Sequence, residues 1–359
     1  MARYACCPGP GARVSMAAMT HAGHTPAGAP APASDPGPGR TPHTAAPLGP
    51  LTVGVEEEFL LVDPVTRELR AEAEKVVAEA APDLGDRVGP ELTRYQVETR
   101  TDPHTRLADL ADQIRSTRHA LAQAAARQGL RIVSSGTPVL VALSANSPYW
   151  AGRDTGYASW RTTTWGRWPV SGPPPYFESS SHFEDLVAGF LATGTVLDRG
   201  GLYWDIRPSH HLPTLEFRAA DATATPDDTV LLAGIVRALT ATALTAVRAG
   251  ERPPRPSPEL LRAACWHAAR DGITGLAVDP DTGRLTPAAA QVDRLLARLR
   301  PALHDHGDSA LVHTLWSRLR TEGSRAEAQR AAHHRRGHLT DVVDHLIATT
   351  APRPSDPRP

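Results

Sequence analysis

Hydrophobic and polar positions divide this chain into a mixed first part and a helical second part. Alternating or short apolar runs predict strands over 51–62, 92–99, 130–135, 201–207 and 213–220. Residues 105–128 carry Leu107, Leu110, Ile114 and Leu121 at helical spacing, with Gly129 just past them, and predict an amphipathic helix. A second helix is expected over 182–193. From 226 onward the pattern is helical. Thr225-Pro226 and two aspartates open a helix that stops at Gly250. Ser257-Pro258-Glu259 opens the next, which stops near Gly272, and further helices are expected over 287–299, 308–321 and 337–349. Strands interleaved with a few helices, followed by a helical half, predict an α+β fold with helices on one face of a sheet.

Residues 1–50 are rich in Pro, Gly, Ala and Thr and read as a disordered tail, with 51–349 as one domain and 350–359 as a second tail. The first tail lacks the apolar core of a signal peptide. No apolar run approaches the roughly 20 uninterrupted residues that cross a bilayer. The chain has 38 basic and 39 acidic residues, a balance that argues against a general nucleic-acid binder. Its cysteines are Cys6, Cys7 and Cys265, a set that implies neither a disulfide framework nor a zinc site and fits a reducing, cytoplasmic setting. Lys75 is the only lysine, so a lysine-bearing phosphate loop is absent. A phosphate clamp here must use arginine, backbone N–H groups or metal.

The strand "LTVGVEEEFLLVDP" places Glu56, Glu57 and Glu58 inside an otherwise apolar run. On a strand, Glu56 and Glu58 share one face about 7 Å apart, and Glu57 lies on the other. Two like charges so placed favour a divalent cation between them; a solvated edge strand is the competing reading. The pattern recurs. "RYQVETRTDP" embeds Glu98 with Arg100 two positions on; "LYWDIRPS" embeds Asp205 with Arg207; "TLEFRAAD" embeds Glu216 with Arg218, then Asp221. Side by side, such strands form a face of carboxylates and guanidinium groups. That face suits divalent cations, magnesium above all, and polyphosphate. Residues 143–177 mix Gly, Pro and polar residues with Trp150, Trp160, Trp165 and Trp168, as an ordered loop lining a pocket does.

Taken in order, "VGVEEEFLLVDP", "YQVETRTDP", "LSANSPYWAGRDTGYASWR", "WGRWPVSGPPPYF", "GLYWDIRPS", "PTLEFRAAD" and the C-terminal "GSRAEAQR" resemble the glutamate–cysteine ligase type 2 family over about residues 51–345. The resemblance implies a glutamine-synthetase-like fold with an antiparallel sheet curved around the active site. It also implies ATP- and Mg²⁺-dependent joining of a glutamate-like carboxylate to an amine such as cysteine, through an acyl phosphate. Glu56, Glu58, Glu98 and Glu216 would then hold metal, and Arg218 and Arg161 would be the catalytic cations. Arg100, Asn146, Ser147, Tyr157, Asp205 and Arg207 would bind substrate or nucleotide. The implied partners are small molecules, with no nucleic acid and no membrane; a homodimer stays open. One departure stands out. The family carries several dozen residues, including a strand of the type G-x-H-V-H-V-G, between the "SSGTP" and "LSANSP" stretches. Here "RIVSSGTPVLVALSANSPYW" passes straight from one to the other. A catalytically impaired copy that keeps the scaffold is therefore the alternative. A metal-dependent hydrolase ranks third, because no H-E-x-x-H is present.

Overall fold

The long strand at the centre owes its position to its alternation. In a computed structural model of the chain, which describes residues 14–19, 51–91, 93–134, 141–209, 214–252, 254–279 and 282–352, it runs over Thr52–Val62. Val53, Val55, Glu57, Phe59 and Leu61 point to one side and are all buried. The strands, in chain order, are β1 (Val14–Met19), β2 (Thr52–Val62), β3 (Val88–Pro90), β4 (Gln96–Arg100), β5 (Arg131–Ser134), β6 (Tyr149–Trp150), β7 (Arg153–Asp154), β8 (Ile206–Pro208), β9 (Thr214–Ala220), β10 (Leu276–Val278) and β11 (Leu285–Pro287). The main sheet has the order β3-β4-β2-β1-β9-β8, all pairs antiparallel, and β5 also pairs with β2. Two short hairpins, β6–β7 and β10–β11, stand apart from it.

One edge of β2 is shared end to end: β1 pairs with Thr52–Glu57 and β5 with Phe59–Val62. β4 takes the opposite edge through Glu56–Leu60. The stretch expected to be a disordered tail therefore contributes the strand that joins β2 to β9. The reason is backbone pairing: without β1, the edges of β2 and β9 that it joins would each present an unmatched row of N–H and C=O groups. The rest of residues 1–50, and residues 353–359, lie outside the described residues.

The helices are α1 (Ala73–Leu84), α2 (Leu107–Arg127), α3 (Val141–Ser144), α4 (Trp160–Trp165), α5 (Ser180–Ala192), α6 (Pro226–Arg248), α7 (Pro258–Asp271), α8 (Ala288–Asp305), α9 (Ser309–Glu322), α10 (Arg325–His334) and α11 (Leu339–Thr350). α2 buries its predicted stripe of Leu107, Leu110, Ile114 and Leu121, and Gly129 follows it with φ of 73°. α6 starts where expected, on a reciprocal cap between Thr225 and Asp228 with Pro226 in the first turn. It is long and apolar enough to cross a membrane, but its buried length packs against α2, α8, α9 and the sheet in one core with Val53, Val55 and Phe217. A second core joins α1 and α2 to β2, β4 and β5 through Phe59, Leu61, Val76 and Leu121. The fold is α+β, with helices against the face that carries Val53 and Phe217.

Two further expectations change. The strand expected over 201–207 is shorter and later, Ile206–Pro208, because Arg199–Gly201 closes a 3₁₀ turn capped by the Asp198 side chain. Trp204 keeps only a single bridge, to Gly172. α1 and α10 were not foreseen, since Pro82 and a polar composition mask their periodicity.

Candidate active site

The strand alternation sends the three consecutive glutamates to two destinations. Glu57 enters the core. Its carboxylate accepts a bidentate pair from Arg118 of α2, at 2.7 and 3.0 Å, and the Thr229 hydroxyl at 2.6 Å. Arg118 is almost fully buried, and it also donates to the carbonyls of Thr223, Ala224 and Thr350. This is a structural ion pair.

Glu56 and Glu58 take the other face. There the register sets Glu58 directly opposite Glu98 of β4, and Glu56 opposite Arg100. Directly opposed residues in an antiparallel pair lie about 5 Å apart at Cα. Glu98 is in turn opposite Gly89 of β3, and the Arg100 guanidinium lies close over that glycine. Arg100 is exposed at the end of β4, away from the cavity described below. The fourth carboxylate, Glu216, belongs to the same sheet but not to this group. It aligns through Ala17 of β1 with Gly54, two strand spacings or about 10 Å across. Arg207 binds it at 2.7 Å, and Arg218 binds its other oxygen. Burial alone would raise the Glu216 pKa, but the charges of Arg218 and Arg207 more than offset this and hold it below the usual value. Arg207 is further fixed by the carbonyls of Arg199, Gly200 and Leu202, so it braces the strand end. Among the described residues, no three His, Cys, Asp or Glu side chains form a ready-made metal cluster.

Beyond β9 lies a cavity of about 450 Å³. Arg161, Asp205 and Arg218 line it, as do Trp165, Tyr203, Cys265 and Trp266. α4 supplies Arg161 and Trp165. Its start is fixed by Ser159, whose side chain caps it. The Arg161 guanidinium lies over the Trp165 ring at 5.2 Å, and that of Arg218 over Tyr203 at 5.9 Å. Trp165 and Tyr203 contact each other with centroids 4.7 Å apart. Asp205 is buried, and desolvation pushes its pKa up to about 7 even though the Arg161 charge favours the ionised form. Burial, with Asp205 nearby, pushes the Cys265 thiol up to about 12, so Cys265 is a neutral wall group here.

Behind the cavity sits a buried polar cluster. Asp221, at the end of β9, accepts the Asn146 backbone N–H at 2.6 Å and the hydroxyls of Ser147 and Ser159 at 3.2 and 3.0 Å. Burial pushes its pKa to about 7 as well, against these hydrogen bonds and the Arg161 charge. Asn146 donates to the Ala222 carbonyl and accepts from Gln329 of α10. Ser147 accepts the Arg161 backbone N–H. Asn146 and Ser147 are thus turned into the protein and position the loop that carries Arg161. Tyr157 stands one layer back, accepting the Trp266 indole N–H at 3.0 Å.

Of the twelve residues singled out from the sequence, the structure brings Arg161, Asp205 and Arg218 to the cavity and Glu56, Glu58 and Glu98 to one sheet face. Asn146, Ser147, Tyr157, Arg207 and Glu216 make the supporting contacts described. Sequence reasoning missed Tyr203, Cys265 and Trp266. The last two sit on α7, whose pattern reads as an ordinary amphipathic helix, and only the clustering of Cys265-Trp266 at one point of that helix marks them.

The sequence model of the glutamate-cysteine ligase family 2 matches residues 52–137 and 137–345, two pieces that meet at 137. A protein of Saccharopolyspora erythraea, provisionally named glutamate–cysteine ligase 2-1, is 40% identical over 362 aligned positions covering 84% of this chain and 95% of the relative. One from Frankia alni, provisionally named glutamate–cysteine ligase 2-2, is 39% identical over 378 positions, covering 84% and 97%. Both alignments are longer than this 359-residue chain, although only part of it takes part, so each relative carries residues that this chain lacks. Among solved structures, the glutamate–cysteine ligase of Francisella tularensis in complex with AMP superposes with a TM-score of 0.57 at 10% identity, over 83% of this chain and 87% of that one. A bifunctional glutathione synthetase from Pasteurella multocida gives 0.56 at 12% identity, over 83% and 51%. At such identities the likeness is one of fold.

Proposed function

We propose that this chain, which belongs to the glutamate-cysteine ligase family 2, is an ATP-dependent carboxylate–amine ligase whose nominal product is γ-glutamylcysteine. The observation that carries this reading is the polar face of the sheet. It bears the opposed carboxylates Glu58 and Glu98 on one side of β1 and Arg218 on the other, beside an aromatic cavity. Carboxylates from adjacent strands brought to one face supply the oxygen donors that a divalent cation takes. The donors there are oxygen atoms only, which suits Mg²⁺, an ion commonly held by one or two carboxylates plus substrate phosphates. Glu58 and Glu98 would hold it, with Glu56 beside them, and it would neutralise phosphate charge.

In the first step an oxygen of the glutamate γ-carboxylate bonds to the γ-phosphorus of ATP and the bond to the β,γ-bridging oxygen breaks, releasing ADP. In the second, the amine nitrogen bonds to the acyl carbon, phosphate leaves, and the amine gives up a proton. Arg218 stands where the cavity meets the sheet face, so it neutralises charge on the transferring phosphoryl group. Glu216 and Tyr203 orient it. Such catalysis is positioning plus electrostatics and needs no side-chain nucleophile. The test is ADP release from purified protein with ATP, Mg²⁺, glutamate and an amine; Glu56→Gln should abolish it with the fold intact. Absence of ADP with every amino-acid pair removes the reading. A specific observation favours a second one, an impaired enzyme that retains the scaffold: the internal residues that its relatives carry are missing here, and the family match breaks at 137. Tight Mg·ATP binding without turnover would select it.

A further inference from the structure

We infer that the cavity beside β9 binds the amine substrate, and that this substrate is a zwitterionic amino acid with an aromatic side chain rather than cysteine. The inference rests on the ligase reading only for the word amine; the occupant's chemistry comes from the cavity walls. A volume of about 450 Å³ lies within the range that encloses a drug-sized ligand, far beyond what the side chain of cysteine fills. Its apolar lining is aromatic: Trp165 and Tyr203, in mutual contact, and Trp266. Flat aromatic walls reward an aromatic occupant through offset or edge contacts beyond simple area burial. The neutral Cys265 thiol adds a small, polarizable wall group.

Charged groups of both signs line it, with guanidinium groups in excess. Four arginines, Arg161, Arg167, Arg218 and Arg262, line it together with one buried carboxyl, Asp205. A carboxylate ligand alone would suit the arginines and be repelled by Asp205. Adenine carries no charge to set against a buried carboxylate. An α-amino acid matches both: its carboxylate takes a guanidinium fork, and its ammonium takes Asp205. The arrangement also orients the occupant. Arg218 adjoins the sheet face where the phosphoryl group would lie, so the amine is presented toward the acyl phosphate and the ring away from it.

Calorimetric titration of the full chain with L-phenylalanine, L-tryptophan and L-cysteine, each with and without glutamate and a non-hydrolysable ATP analogue, tests this directly. Phenylalanine or tryptophan should bind at least tenfold more tightly than cysteine. Cys265→Phe, which fills the cavity from α7, should weaken the aromatic ligand more than tenfold and cysteine much less. Asp205→Asn should weaken phenylalanine more than it weakens phenylpropionate, which has no ammonium. Equal or tighter binding of cysteine overturns the inference, as does no binding of any of the three. So does displacement of phenylalanine by AMP, which would make the cavity a base pocket. These results are independent of ADP release: a protein that turns over with cysteine alone loses this inference and keeps the ligase reading, whereas one that binds phenylalanine but never releases ADP does the reverse.

Discussion

Glu57 and Glu58 are neighbours in sequence, equally shielded from solvent, and opposite in meaning. Glu57 faces the helices and finds a matched cation: Arg118 meets it with two hydrogen bonds, and Thr229 adds a third. Glu58 faces away from them and finds Glu98, another carboxylate. The core face resolves its charges within the protein. The polar face brings carboxylates of two strands together, the donor type that a divalent cation takes. A buried carboxylate is therefore no signal of function by itself; what it is aimed at decides.

The largest expected effect comes from breaking the matched side. Arg118→Met strands the Glu57 carboxylate in the core, and removing one partner of a buried pair costs about 3–5 kcal/mol. Urea unfolding should show that loss, and Glu57→Leu combined with Arg118→Met should recover much of it, since an apolar replacement of both partners is often neutral. A single-variant loss below about 1 kcal/mol would mean that the pair is not the anchor described here.

The polar face should respond in the opposite way. Glu58→Gln keeps the size of the side chain and removes one charge from the face it shares with Glu98, so the melting temperature should change little. ADP release should fall by about 10²–10³-fold, the scale for losing one electrostatic contact to a transition state. A variant with normal ADP release and lowered stability would make Glu58 another structural carboxylate and erase the contrast between the two faces.

Much of this contrast was legible beforehand, and what was not has physical causes. Alternation alone separated Glu57 from Glu56 and Glu58, because the period of a strand is fixed by its geometry. The helices of the second half announced themselves through caps and breakers such as Thr225, Pro226, Ser257 and Gly272. The i, i+2 spacing of Glu216 and Arg218 put them on one face, and they do pair there. It could not show that Arg207 arrives from β8 to share the same carboxylate. Partners drawn from distant segments, such as Trp266 against Tyr157 or Gln329 against Asn146, leave no local trace. β1 was hidden for a related reason: composition argued for a tail, whereas pairing between β2 and β9 is decided by what the rest of the sheet leaves open.

Asp221 extends the comparison to a carboxyl that lies behind the cavity and is matched by hydroxyls and an N–H instead of a close cation. Its pKa, about 7 when folded against 3.8 as the ordinary value, is raised by burial. The folded protein therefore holds a proton that the unfolded chain releases between about pH 4 and pH 7, so stability falls as pH rises through that window. Asp205 adds to the slope with the same sign. Asp221→Asn should flatten the dependence of the melting temperature on pH, with the gain relative to the parent growing toward neutral pH. A slope unchanged in that variant would place the proton elsewhere.

The smallest effect sharpens the matched side itself. If the bidentate Arg118 contact neutralises Glu57, the Thr229 hydroxyl is a supplement and not a requirement. Thr229→Val keeps the shape of the α6 side chain and removes the donor to the Glu57 oxygen, 2.6 Å away, together with the hydroxyl's contacts to Arg118 and Thr223. Arg118 still reaches that oxygen, so the carboxylate does not become an orphan and the full desolvation penalty is not incurred. A loss of about 1–2 kcal/mol in urea unfolding is expected, the net scale of one or two hydrogen bonds. A loss as large as that of Arg118→Met would show that hydroxyl and guanidinium act as one unit, and that the core face depends on a network where a pair is argued here.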